Sequence, residues 1–168
     1  MAASTDRALT VFAWGNESRG DDAVGAVLAR RLCGLAHRRI EVIEDHQLHI
    51  EHVMDLDGAC PALFIDASVA IDSDYRLDRI EPGDDGSLST HAMSPPALLA
   101  LYERTLGKQA PAAYLLHVRA SQFGLGEPLS EATSGRIDKA WKFLEQMLAS
   151  EPAQWQDLLE TASYQAVS

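Results

Sequence analysis

Short, compact apolar runs alternate along the chain with longer stretches in which apolar residues recur every three or four positions. Leu9 to Trp14 is a bulky apolar run stopped by Gly15, and it reads as a buried strand of a parallel sheet. From Asp21 the period changes. Val24, Val27, Leu28 and Leu32 recur at helical spacing, and Gly34 stands where a left-handed cap would close the helix. Residues 39–44 carry Ile40, Val42 and Ile43 and read as a second strand, whereas residues 46–56, with Ile50, Val53, Met54 and Asp57 on neighbouring turns, read as a short helix. Residues 61–68 form a third apolar run that terminates in Asp66, and residues 75–81 alternate in the manner of an edge strand. Ser94 is an N-cap with Pro95 at the first helical position; Leu98, Leu99, Tyr102 and Leu106 make the apolar stripe, and Gly107 ends it. Residues 112–118 predict a further strand and residues 121–128 a glycine-rich loop. From Ser130, the series Ile137, Ala140, Trp141, Leu144, Met147, Leu148 predicts the longest amphipathic helix, a sheet-covering element broken at Pro152. Trp155, Leu158, Leu159 and Ala162 mark a short terminal helix with a frayed tail from Ser163.

This alternation predicts a three-layer α/β/α sandwich built on a mostly parallel sheet of about five strands. A chain of 168 residues fits one domain, expected over residues 1–168 with 152–168 as a C-terminal extension, and such a domain buries roughly 70% of its unfolded surface. The formal charge of -11 argues against nucleic acid as a partner, because backbone binding requires Lys and Arg to neutralise phosphates. Cys33 and Cys60 have no zinc spacing and make no disulfide framework; both are expected to be reduced and buried. No apolar run approaches the ~20 residues that span a bilayer, and residues 1–10 lack a signal-peptide pattern, so the expectation is a cytoplasmic protein with no membrane partner.

The stretch from Gly15 to Gly25 carries the first candidate chemistry. Strand, glycine-rich loop and helix follow one another there, and in an open α/β sheet such a loop lies at the carboxyl edge of the strands, where ligands bind. Gly15, Gly20 and Gly25 do not have the Gly-x-Gly-x-x-Gly spacing of a dinucleotide loop, and Asp21 and Asp22 would repel a phosphate at the helix start. A cation or a polarised peptide suits the two acids better. Capping by Asp21 and complementation of the helix dipole by Asp22 are the competing uses. Asp66 repeats the pattern at the end of the third strand, against a competing role as a turn cap. His91 lies in a loop ahead of the Ser94 cap, where packing does not demand an imidazole, although a structural or solvated histidine is the commoner case. His117 near the last strand's end is a weaker candidate. His49 and His52, three apart, could face one way on their helix, but they lack the His-Glu-x-x-His order of a zinc peptidase and fit a solvated or substrate-facing helix.

Taken as a set and in this order, Gly15-Asn16-(four residues)-Asp21-Asp22-Ala23-Val24-Gly25, Asp66-Ala67 and His91 in Ser-Thr-His-Ala-Met-Ser resemble the nickel-iron hydrogenase maturation endopeptidases. Members of that family remove a short C-terminal extension from the hydrogenase large subunit after nickel insertion. The resemblance runs from the first strand to about Ser150 and implies that Asp22, Asp66 and His91 occupy the family's metal-contacting, catalytic positions, with Asp21 and Asn16 in support. Ala23 replaces a glycine found in many members, and Glu17 and Arg19 replace residues that are often apolar. The segment His46-Gln47-Leu48-His49-Ile50-Glu51-His52 is similar to the branch serving NAD-reducing, bidirectional hydrogenases; beyond Pro152 there is no counterpart. Two carboxylates and one imidazole make an open mixed-ligand site for a first-row divalent ion. No serine or cysteine has an evident base and orienting partner, so a covalent route has no support. The expectation is an endopeptidase whose partner is the hydrogenase large-subunit precursor and whose nickel arrives with that substrate. A non-proteolytic nickel-sensing chaperone is the alternative, and a dinucleotide-binding protein is disfavoured by the glycine spacing.

Overall fold

A computed structural model describes residues 6–84 and 92–165. Five strands form one sheet in the order β2-β1-β3-β5-β4: β1 (Leu9–Trp14), β2 (Ile40–Asp45), β3 (Ala62–Ser68), β4 (Tyr75–Ile80) and β5 (Ala113–Arg119). The pairs β1/β2, β1/β3 and β3/β5 are parallel, and only the edge strand β4 runs antiparallel, against β5. The expected strands are therefore all present, with bounds that shift by a residue or two. Side-chain alternation divides the sheet between two cores. Val11, Ala13, Leu63, Ile65, Tyr114, Leu116 and Val118 face one layer, made by α1 (Val24–Gly34), α4 (Glu131–Leu148) and α5 (Trp155–Gln165). Phe12, Phe64, Ala62 and Ala113 face the other, made by α2 (Val53–Leu56) and α3 (Pro95–Leu106). Helices thus cover both faces of the sheet, as the apolar periodicity requires.

The cap chemistry of α3 follows the sequence, and α4 adds a cap of the same kind. Ser94 Oγ accepts from the Ala97 amide with Pro95 at the first helical position, Gly107 takes a left-handed φ of 63°, and Ser130 Oγ accepts from the Thr133 amide. Elsewhere the structure corrects the expectation. α1 continues through Gly34, and Ala36, not Gly34, takes the positive φ (48°), because 3-10 bonds from Leu35 and Ala36 tighten the helix end before the chain turns. Residues 50–56 begin as a 3-10 turn (Ile50–His52) before α2; its 120° step changes the phase, so His52, Val53 and Leu56 point inward and Ile50 and Met54 face solvent.

Cys33 and Cys60 are free but exposed rather than buried, since Cys33 falls on the outer face of α1 and Cys60 in the turn before β3. The expected terminal helix is present and runs further than expected: α5 extends to Gln165, past the start of the frayed tail expected from Ser163, with Ser163 buried, and Trp155 and Leu159 are fully enclosed in the first core. Glu160 on α5 accepts from Tyr114 Oη on β5 and from Arg79 Nη1 on β4 (2.7 Å), which ties the helix to two strands. Among the described residues no helix is long and apolar enough to cross a membrane.

Candidate active site

The site begins at the carboxyl ends of β1 and β3, adjacent parallel strands that open onto one edge of the sheet. After Trp14 the chain must turn at once to reach α1, and Gly15 makes the turn at φ 143°, a conformation that a side chain would strain. A Cβ there would also lie 2.0 Å from the Asp22 carbonyl oxygen. α1 returns directly over the end of β1. At Gly25 a Cβ would stand 2.2 Å from the Trp14 carbonyl oxygen, so the helix sits this close only because glycine has no side chain. The loop is then closed by its own polar groups. The Asn16 amide donates to Asp22 Oδ2 (2.8 Å), and Asn16 Oδ1 accepts from the Ser18 amide (2.9 Å). Asn16 and the glycines thus act structurally and hold Asp22 at the loop's inner rim.

The two acids of the loop have separate tasks. Asp21 is fully buried and does not cap its own helix. Its Oδ2 accepts from the Ser121 and Gln122 amides (3.0 Å each) and from Thr133 Oγ1 (2.9 Å), and its Oδ1 from the Ser130 amide (2.9 Å). Burial alone would raise its pKa, but these donors outweigh burial and hold the carboxyl well below the usual carboxylate range. Asp21 therefore pins the β5–α4 loop against the β1–α1 loop. No sequence signal marks this, because its partners are 100 to 112 residues away.

Asp22 instead lines an open cleft of about 290 Å³ with Trp14, Arg19, His46, Gln47 and Leu48. Asp66, half-buried on β3, is close enough to feel the Asp22 charge. Burial pushes its carboxyl up to about 7, an effect eased by a hydrogen bond from the Ala67 amide and reinforced by Asp22. A half-buried carboxyl whose proton affinity is raised by burial and by a neighbouring carboxylate marks a place where a cation is favourable. His91 lies outside the described residues. The segment that follows it does reach the site: Ala92 and Met93 line the same cleft as Asp22, and the Met93 amide donates to the Leu48 carbonyl (3.1 Å). Among the described residues, no group of three or more His, Cys, Asp or Glu side chains could hold a metal ion.

The other histidines resolve differently. His52 is buried, and its Nδ1 accepts from the His49 amide (2.8 Å), which leaves the ring proton on Nε2, 3.5 Å from Asp45 Oδ2. A ring protonated there has no lone pair to give a metal. His49 and His52 stack with centroids 5.7 Å apart and both face Asp45, a carboxylate that occupies the pair beside the cleft segment His46–Leu48. His117 on β5 pairs with Asp78 of β4, Nε2 to Oδ2 at 3.1 Å, and burial holds its pKa below the usual imidazole value despite that carboxylate.

No protein-family model and no curated protein matches the chain. Solved structures do share its fold. A [NiFe] hydrogenase maturation protease, HycI from Thermococcus kodakarensis, superposes with a TM-score of 0.68 at 20% identity, over 86% of this chain and 94% of its own. The hydrogenase maturating endopeptidase HybD from E. coli gives 0.62 at 21% identity, over 84% and 90%, and the endopeptidase HycI from Escherichia coli gives 0.62 at 17% identity, over 86% and 92%. At such identities the likeness is one of fold, and it extends over most of both chains.

Proposed function

We propose that the protein is an endopeptidase that removes the C-terminal extension of a nickel-iron hydrogenase large-subunit precursor after nickel insertion, with the substrate's own nickel as the recognised ion. One observation carries this reading: the cleft at the carboxyl edge of β1 and β3 sets Asp22 within electrostatic reach of Asp66, on a fold shared with hydrogenase maturation proteases. The donor chemistry fits. Oxygen donors without a thiolate bind a first-row divalent ion weakly at rest, and such a site responds to an ion that the substrate already holds. The nickel would polarise the scissile carbonyl and make a bound water acidic. The chain's own part is to position and to hold protons. The Asn16 amide fixes one Asp22 oxygen, and Asp66, with a proton affinity near neutrality, can keep or release a proton beside the scissile bond. His91 is assigned as the third contact on the sequence resemblance, and the cleft position of Ala92 and Met93 is compatible with that role.

Two finer assignments belong to the same reading. His46, Gln47 and Leu48 form the cleft wall beside Asp22, where a precursor would be read, and this supports the branch serving NAD-reducing, bidirectional hydrogenases. Such a precursor would be met in the cytoplasm.

The test is the mass of nickel-loaded and nickel-free large-subunit precursors before and after incubation with the wild type, Asp22→Ala and His91→Ala. Loss of a C-terminal peptide from the nickel-loaded precursor, with the wild type alone, is the expected result. Equal cleavage of both precursors would sink nickel gating, and tight binding with unchanged mass would replace the endopeptidase by a chaperone.

A further inference from the structure

The four parallel strands all end at one edge of the sheet, and the segments leaving that edge carry apolar side chains that the fold does not cover. Among the described residues seven large apolar side chains are exposed, and four of them follow the carboxyl ends of strands. Ile50 and Met54 come after β2, Val69 after β3 and Leu125 after β5, each between 59 and 79% exposed. Leu35, after α1, and Leu158 and Tyr164, on α5, lie elsewhere. Single exposed apolar residues are ordinary on a protein surface, but a group of them around one cleft marks a face that meets a partner.

The four belong to one continuous rim. Val69 follows Ser68, whose carbonyl accepts from the Ala120 amide (2.9 Å) where the loop bearing Leu125 begins. That loop is joined to the β1–α1 loop by a bond from the Gly126 amide to the Ser18 carbonyl (2.7 Å). Ser18 lines a groove of about 410 Å³ with Asp45 and His46. Asp45 also lines an adjoining hollow of about 390 Å³ with Glu51 and Asp55, the chain neighbours of Ile50 and Met54. The groove shares Gly15, Asn16 and His46 with the Asp22 cleft, so the rim borders the cleft directly.

Span and charge select the occupant. β1 and β3 separate β2 from β5, and at about 4.8 Å per strand the apolar residues of the two sides stand on the order of 14 Å apart across the edge. One extended peptide in the cleft does not reach both sides, whereas the surface of a folded protein does. No Lys or Arg lines the groove or the hollow, and neither Glu51 nor Asp55 has an ion-pair partner among the described residues. An isologous contact between two copies would bring these carboxylates together in a chain whose formal charge is already -11, so a second copy fits poorly.

We propose that this rim is the docking face for the folded body of the large-subunit precursor, with Ile50, Met54, Val69 and Leu125 as apolar anchors and Glu51 and Asp55 facing Lys or Arg side chains of the partner. The inference rests on the endopeptidase reading for the identity of that partner. Docking outside the cleft holds a precursor whatever its nickel content, while the acids of the cleft meet the ion. An anchor of this kind is worth about tenfold or more in affinity.

Nickel-free precursor, which nickel gating leaves uncleaved, isolates the docking step, and its Kd is measured by isothermal titration calorimetry. Ile50→Ser/Met54→Ser and, separately, Leu125→Ser are expected to raise Kd about tenfold or more with Tm unchanged, and Leu158→Ser to leave Kd alone. Glu51→Lys/Asp55→Lys should also raise Kd, and added salt should weaken binding by the wild type. Wild-type Kd in both apolar rim variants would overturn the proposal, as would a Kd that salt does not move. A wild type that cleaves nickel-loaded precursor but does not bind the nickel-free form overturns the docking face alone. The expected binding pattern without any cleavage counts against the endopeptidase alone. A dimer that dissociates in the rim variants on sedimentation would give the face to a second copy and overturn the proposal.

Discussion

Replacing Asp21 by asparagine tests how the two loops of the site are joined. The carboxylate is fully buried and accepts four hydrogen bonds, three of them at Oδ2. An asparagine keeps those three if its oxygen takes the Oδ2 position, but its NH₂ then meets the Ser130 amide donor to donor. One bond is lost, one donor is left unsatisfied, and the remaining three weaken because the acceptor is no longer charged. At about 1 to 3 kcal/mol for an unmade buried bond, the expected loss is about 2 to 3 kcal/mol. In a domain of this size that lowers Tm by roughly 5 to 10 °C. Urea unfolding at neutral pH, followed by tryptophan fluorescence, measures it.

The pH dependence supplies the sharper check. The folded state holds the Asp21 proton less tightly than the unfolded state does, so the carboxylate's contribution is complete above an unfolded pKa of about 3.9 and is lost as pH falls below it. Asparagine has no such contribution, so the gap between variant and wild type should narrow from about pH 5 to about pH 3. A variant within 0.5 kcal/mol, on the order of an ordinary surface substitution, or a gap independent of pH, would refute the account.

The remaining predictions concern the acid at the end of β3, the close helix crossing and the terminal helix. Asp66→Asn should abolish cleavage and raise stability by up to about 4 kcal/mol near pH 8. The reason is that a folded-state pKa pushed up to about 7 means stability present in acid is lost as pH rises from about 4 through 7, and asparagine removes that loss; equal stability at both ends of the range would contradict it. Gly25→Ala should cost about 3 kcal/mol or more in urea unfolding, since its Cβ would overlap the Trp14 carbonyl; a neutral result would mean that α1 can move off β1. Trp155→Ala should cost about 3 to 5 kcal/mol, because the indole is fully buried and donates to the Ser150 carbonyl (3.1 Å), and a loss below ~1 kcal/mol by the same assay would show α5 to be dispensable.

Local pattern was enough for most of the architecture. Five strands, the cap at Ser94, the start of the long helix at Ser130 and the stop at Gly107 follow from apolar period and cap chemistry, which depend on residues a few positions apart. It was also enough to mark Asp22 in the loop after the first strand and Asp66 at the end of the third, because a charge placed beyond a buried strand is visible without coordinates. What it could not supply was anything decided by residues distant in the chain. Cys33 and Cys60 are small and weakly apolar, so sequence favoured burial; the phase of α1 and the turn before β3 put them outside. Asp21 and Asp22 are identical and adjacent, yet one is a buried clasp and the other lines the cleft. Only the arrival of Ser121, Ser130 and Thr133 from the far end of the chain separates them. The histidines divide in the same way: His52 is withdrawn from metal chemistry by the amide of His49, and His117 is paired with Asp78 of the neighbouring strand. The sequence by itself determined which elements form and which edge of the sheet bears the acids. The tertiary structure decided which acid is buried, which lines the cleft, and which neighbour each one meets, because hydrogen-bond partners and burial are properties of the packed chain and not of any stretch of it.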